Sequence, residues 1–251
     1  MEVPQGFSWG DGDKQVAHSL VPNPVAGSFG PPRRRLLALG LVLFVSFGHF
    51  IFYSAYSLVG AIDTRQIKAS LVGTLISEAG SLAVLWYVLS GQGRGLKDIG
   101  WNFEWMDILR AVALVFSSRV AEYLVWIPVQ LSYYSYFGHY LTPKSLHGML
   151  GVGISGLSIA FVCLNPFFEE LIVRGYLMSE VVDLGGNGLL AIFLSIAVQM
   201  SYHLYQGLAN GIALTVGFAV FSIYFGKTHR LAPVVLAHLC IDAFALVRTS
   251  F

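Results

Sequence analysis

Two adjacent glutamates and an arginine, Glu169, Glu170 and Arg174, stand as E-E-L-I-V-R inside a stretch from Leu157 to Val182 that is otherwise almost wholly apolar. A charge at mid-membrane depth is penalised by about 2.5 to 3.5 kcal/mol on insertion scales, so three of them in six residues demand mutual pairing, a polar interior or a function. On a helix Glu170 and Arg174 share a face in the favourable order for an acid and base pair, while Glu169 points about 100° away. One carboxylate is then neutralised and the other left for general base or acid work. The alternative is a purely structural pair, with both glutamates clamped by the arginine. Pro166 lies just upstream, and its missing backbone donor predicts a kink or break that aims the following turn inward.

Two further polar clusters lie in later spans. His203 shares a helical face with Gln199 and Gln206, and His238 stands four residues before Asp242 as H-L-C-I-D. A lone membrane histidine is commonly a packing residue satisfied by one hydrogen bond. Polar faces on several neighbouring helices satisfy one another if they converge, and each needs a separate partner if they do not. The segment from Leu208 to Gly226 carries no charge and only Asn210 near its start. Glu169, His203 and His238 also form a legitimate catalytic zinc set with a water in the fourth position, although the HExxH helix of the zincins is missing. Metal-independent glutamate chemistry is favoured, with no cofactor, and zinc is the alternative.

The elements that must position these residues are helices in a bilayer. Of the 251 residues 55% are hydrophobic and only 12% charged, and the mean hydropathy is +0.67, whereas ordinary globular chains carry about 25% charged residues. The apolar residues fall into runs of about 20, the length that spans some 30 Å of hydrocarbon. The reading is all-α, a polytopic bundle of about seven spans at roughly 36–61, 69–90, 107–131, 151–180, 187–206, 208–226 and 231–249. Residues 1–34 read as a flexible polar tail without a cleaved leader, 35–150 as amino-terminal spans with an interfacial segment, and 151–251 as the region that carries the chemistry.

A cytosolic tail places Arg33 to Arg35, Arg94, Lys97, Lys227 and Arg230 inside, against Arg65, Lys68, Lys144 and Arg248 outside, which is the positive-inside bias. The segment Leu96 to Trp105, with Trp101, Phe103 and Trp105 among charges, reads as an interfacial connector. Cys163 and Cys240 sit in separate spans without metal-type spacing and read as buried thiols.

The order of the three motifs resembles that of the CAAX protease and bacteriocin-processing (CPBP, or Abi) intramembrane endopeptidases. That family's pattern is a glutamate pair followed by three residues and an arginine, then a histidine on a later helix, then a histidine with Asn or Asp four residues on. Here these are Glu169, Glu170 and Arg174, then His203, then His238 with Asp242, and the resemblance covers about residues 150–250. The chain departs from the common pattern at Gln199, where Phe is usual, and at Asp242, where Asn is typical of the prenyl-protein branch.

The resemblance implies an intramembrane endopeptidase in which Glu169 is the general base toward a water shared with His203. His238 and Asp242 would stabilise the oxyanion, with Asp242 protonated or fixing the imidazole tautomer. Glu170 and Arg174 would hold the geometry, and Arg174 could meet a substrate carboxylate. The substrate implied is a peptide or protein, prenylated in the CAAX case or a processed peptide or bacteriocin otherwise. The partners are that substrate and the lipid bilayer of a cell membrane; nothing points to nucleic acid. Two other function classes stay open: a non-catalytic membrane scaffold or self-immunity protein, and a proton-linked transporter with a relay through Glu78, Arg119 and Glu122.

Overall fold

The computed structural model describes residues 31–58, 71–141 and 154–248. Most of the amino-terminal tail, together with Arg65, Lys68 and Lys144 from the charge argument, lies outside the described residues. Those described fold as helices: α1 (Pro32–Leu58), α2 (Leu71–Gly91), α3 (Met106–Phe137), α4 (Gly156–Glu170), α5 (Leu177–Asp183), α6 (Gly188–His203), α7 (Leu208–Thr228) and α8 (Ala232–Arg248). A π-helical turn, Leu171–Tyr176, joins α4 to α5 without a break, so that Gly156–Asp183 is one rod. Among the described residues six helices are long and apolar enough to cross a membrane, and α8 at 17 residues is the seventh apolar segment. The chain is a polytopic membrane protein.

Local chemistry sets the ends of these helices. Ser155 accepts the backbone N–H of Ser158 at 3.1 Å while Ser158 Oγ accepts that of Ser155 at 2.8 Å, a reciprocal cap that starts α4. Asn187 caps α6 by accepting the Leu190 N–H at 2.8 Å. Pro233 sits in the first turn of α8, where its missing donor removes nothing. The helix runs on through Pro166 to Glu170, so the expected break there is replaced by the π turn five residues later.

Burial is arranged for lipid rather than water. Large apolar side chains point outward along the long helices, among them Phe44 (75% exposed), Phe116 (72%) and Phe193 (64%), while Arg174, Glu170, Gln199 and Glu180 have no exposed surface. Hydrocarbon accepts the first group; only internal pairing can accommodate the second. Both cysteines are also exposed and free, Cys163 on α4 and Cys240 on α8. The buried state expected for them is corrected: a thiol behaves as a small hydrophobe, and an outward position in a span is apolar too.

One end of the bundle is tied by charge. Arg35 at the start of α1 donates to Glu180 at 2.9 and 3.0 Å and to Asp183 at 2.8 Å. Arg94, just beyond α2, meets the same two carboxylates. On the same side Arg230, between α7 and α8, pairs with Asp107 and Glu104 at 2.9 Å each, and its hydrogen bonds hold the exposed Glu104 carboxyl below the usual carboxylate range. The interfacial segment is wedged in here. Ile99 is buried, and Trp101 packs on Phe167 of α4 with ring centroids 5.3 Å apart. Gly100 has φ 89°, accepts the Leu231 N–H at 2.9 Å, and a Cβ there would stand 2.7 Å from the His229 carbonyl oxygen. Two of the basic residues counted as cytosolic, Arg35 and Arg94, are thus buried structural cations.

Glu180→Ala removes the carboxylate that Arg35 and Arg94 share alongside Asp183. It is expected to destabilise the fold by about 3 kcal/mol, measurable as a lowered unfolding midpoint of the purified protein in detergent.

Candidate active site

The cluster forms where α4 ends and its ladder widens. A π turn places an extra residue in the helical circuit and re-aims the side chains beyond it. Glu170 and Arg174 nevertheless pair as their spacing predicts, with Nη1 donating to Glu170 Oε1 at 3.3 Å and Nε lying 3.3 Å from Oε2. The guanidinium also reaches two other helices. Nη1 donates to Gln199 Oε1 on α6, Nη2 donates to the Phe218 carbonyl on α7 at 3.4 Å, and the Phe218 ring centroid lies 5.4 Å from the guanidinium carbon. Arg174 has no exposed surface, and its hydrogen bonds are with the protein.

Glu169 is also held, contrary to the free carboxylate anticipated beside the paired one. Its Oε2 accepts from Gln199 Nε2 at 2.9 Å and from the Tyr202 hydroxyl at 2.8 Å, both on α6. Its Oε1 accepts no hydrogen bond among the described residues and is not an enclosed atom. Tyr202 is itself fixed by α1. Its ring stacks on Phe47 with centroids 4.6 Å apart and planes 11° from parallel, and Ser54 Oγ donates to its carbonyl at 3.0 Å.

The two histidines flank Phe218. The His238 ring meets it at 4.8 Å, edge to face, and the His203 ring at 5.8 Å. His238 Nδ1 donates to Glu170 Oε1 at 2.8 Å, and its Nε2 lies 3.6 Å from Asp242 Oδ2, beyond hydrogen-bonding range. The carboxylate hydrogen-bonded to this imidazole is Glu170. Asp242 Oδ2 accepts from Asn165 Nδ2 at 3.4 Å. His203 donates Nδ1–H to the Gln199 carbonyl one turn back at 3.0 Å, which directs Nε2 away from its own helix. Glu78, on the buried stripe of α2 that faces α4, lies within electrostatic range of Glu169 and Asp242, and its Oε2 has no partner among the described residues. Arg119 and Glu122 pair with each other on α3.

The structure thus gathers Glu169, Glu170, Arg174, His238 and Asp242, with His203 at the edge, from α4, the π turn, α6 and α8. Four participants were absent from the sequence reading: Tyr202, Phe218, Asn165 and Phe47. Tyr202 neighbours His203 and shares no helical face with it. Phe218 lies in the span without charge. Among the described residues no three His, Cys, Asp or Glu side chains group closely enough to hold a metal ion.

Residues 151–244 match the model of a protein family described as type II CAAX prenyl endopeptidase Rce1-like. The matched segment holds α4 to α8 almost to its end and every residue of the motifs, and it bears out the resemblance to the CAAX protease and bacteriocin-processing family. None of the curated proteins or solved structures compared with the chain matches it.

Arg174→Met strands Glu170 and Gln199 without their shared donor. A loss of about 3 to 5 kcal/mol of stability is expected, with Arg174→Lys recovering only part of it because one ammonium cannot replace a planar fork aimed at three acceptors. Thermal unfolding of both variants in detergent measures this.

Proposed function

We propose that the chain is an intramembrane endopeptidase of the CAAX type that hydrolyses a peptide bond with a water activated by Glu169. The observation that carries this reading is the division of the two adjacent carboxylates. Glu170 is enclosed by Arg174 and His238, whereas Glu169 keeps Oε1 open beside a cluster of polar side chains in an apolar bundle. A carboxylate held at one oxygen and open at the other is suited to take a proton.

In this mechanism Glu169 Oε1 removes one proton from the water, and the resulting oxygen attacks the scissile carbonyl. His203 Nε2 steadies that water from α6. The carbonyl oxygen becomes an oxyanion, and His238, as an imidazolium with Nδ1–H on Glu170, presents Nε2–H to it. Asp242 stands beside Nε2 and keeps the positive charge local. Glu169 then returns its proton to the departing nitrogen as the C–N bond breaks, leaving a carboxyl and an amine.

The side-chain geometry supports a metal-independent route. A zinc set of Glu169, His203 and His238 needs three donors within one coordination sphere, and among the described residues no three such side chains stand close enough. The mid-span position of the cluster supports a substrate that arrives within the bilayer, as a prenylated Cys-aliphatic-aliphatic-X terminus would. Arg33, Arg34 and Arg35 support a cytosolic amino terminus.

The test is cleavage of a quenched peptide ending in a prenylated Cys-aliphatic-aliphatic-X motif by purified protein in lipid nanodiscs, with the unprenylated peptide alongside. Glu169→Gln should lower kcat by about 10² to 10⁴-fold, and exhaustive chelation should leave the wild-type rate unchanged. Undiminished cleavage by Glu169→Gln would remove the proposed base, and activity lost to chelation and restored only by zinc would remove the metal-free mechanism.

A further inference from the structure

One of the two positions at which the chain departs from the family pattern, Gln199, is buried and hydrogen-bonded at both ends of its amide. Oε1 accepts from Arg174 Nη1, which fixes the amide so that Nε2 points the other way, and Nε2 donates to Glu169 Oε2 at 2.9 Å. An isolated amide could turn over by exchanging its oxygen and nitrogen. Here that exchange would set Nε2 against a guanidinium, donor to donor, and Oε1 against a carboxylate, acceptor to acceptor. Arg174 thereby determines which way Gln199 faces and what it offers the glutamate.

Tyr202 makes the second contact to the same oxygen, 2.8 Å from Oε2. It follows Gln199 by three residues on α6, so the two donors come from one helical face. The Phe47 ring lies flat against Tyr202, and the backbone of Tyr202 is tied to Ser54. These constraints come from α1, outside the segment that matches the family model. Two donors on one oxygen and none on the other oppose rotation of the carboxylate to exchange Oε1 with Oε2, since rotation would break both hydrogen bonds at the buried oxygen.

We propose that Gln199 and Tyr202 are positioning residues which lock Glu169 by Oε2 and so present Oε1 to the reacting water, with Arg174 and Phe47 fixing the two holders. The inference rests on the reading of Glu169 as the base. It assigns α1 a part in the chemistry, and it gives Arg174 an influence on Glu169 exerted through Gln199. A base already aimed need not be reoriented during the reaction, so the benefit falls on the chemical step and not on substrate binding.

The experiment compares Tyr202→Phe, Gln199→Phe, Phe47→Leu and Glu169→Gln in the nanodisc cleavage assay, with the unfolding midpoint of each recorded. Tyr202→Phe deletes one oxygen and keeps the stack on Phe47. It is expected to lower kcat at least tenfold with KM within twofold of wild type and the midpoint little changed. Phe47→Leu, which removes the ring stacked on Tyr202 and no polar atom, should lower kcat about threefold with KM unchanged. Gln199→Phe should act as Tyr202→Phe does, and if it fails to fold, the other two variants still decide the matter. Wild-type kcat in Tyr202→Phe together with an inactive Glu169→Gln overturns the lock and keeps the base. A loss confined to KM overturns it as well, because it would place these residues in substrate binding. An active Glu169→Gln instead removes the base on which the proposal rests.

Discussion

A guanidinium with no access to solvent is the constraint around which the site is organised. Arg174 lies inside the bundle at mid-span, where an uncompensated charge is not tolerable, and its fork is satisfied only when α4, α6 and α7 stand at fixed separations. Glu170 supplies the countercharge, Gln199 an amide oxygen and Phe218 a backbone carbonyl. Each partner then transmits order further. Glu170 orients His238, Gln199 holds Glu169, and the Phe218 ring separates the two histidines. The arginine expected to hold the site's geometry joins three helical segments through these contacts.

A second polar layer does related work at one end of the bundle. Arg35, Arg94, Glu180 and Asp183 tie the start of α1 and the end of α2 to the end of α5. The rod Gly156–Asp183 is therefore pinned at two depths, by Glu180 and Asp183 near its end and by Glu170 and Arg174 near its middle. The π turn starts at the inner anchor, directly after Glu170 and with Arg174 inside it, and ends before Glu180. With both ends fixed, the widened circuit is free to serve the side chains around it, and Gly175 within that turn allows the Ile99 carbonyl to approach to 3.1 Å of where a Cβ would stand.

The helices were legible because hydrocarbon imposes a length and a composition that few sequences satisfy by accident, and the Glu170–Arg174 and Arg119–Glu122 pairs were legible because helical spacing fixes neighbours. What lay hidden depends on contacts between helices. Gln199 looked like an anomaly beside His203, and only the arrival of Arg174 and Glu169 from α4 explains both ends of its amide. Tyr202 and Phe47 carry no spacing signal, and their part follows only from the stack between α1 and α6. No residue pattern announces a π turn, since it arises where tertiary partners outweigh the regular ladder. Cys163 and Cys240 were misplaced for a related reason: in a membrane protein, apolar periodicity does not say which side faces the core.

Helix α8, which brings His238 and Asp242, has 17 residues. At about 1.5 Å per residue it covers roughly 26 Å, less than the roughly 30 Å of a typical hydrocarbon layer. A span shorter than the hydrocarbon is accommodated by thinning of the adjacent lipid, by snorkelling of flanking residues or by association with other helices. Hydrolysis in oil faces a supply problem, because the reagent is excluded from the solvent. A bilayer thinned where Asp242 and the open edge at His203 lie shortens the path from bulk water to the carboxylate that uses it.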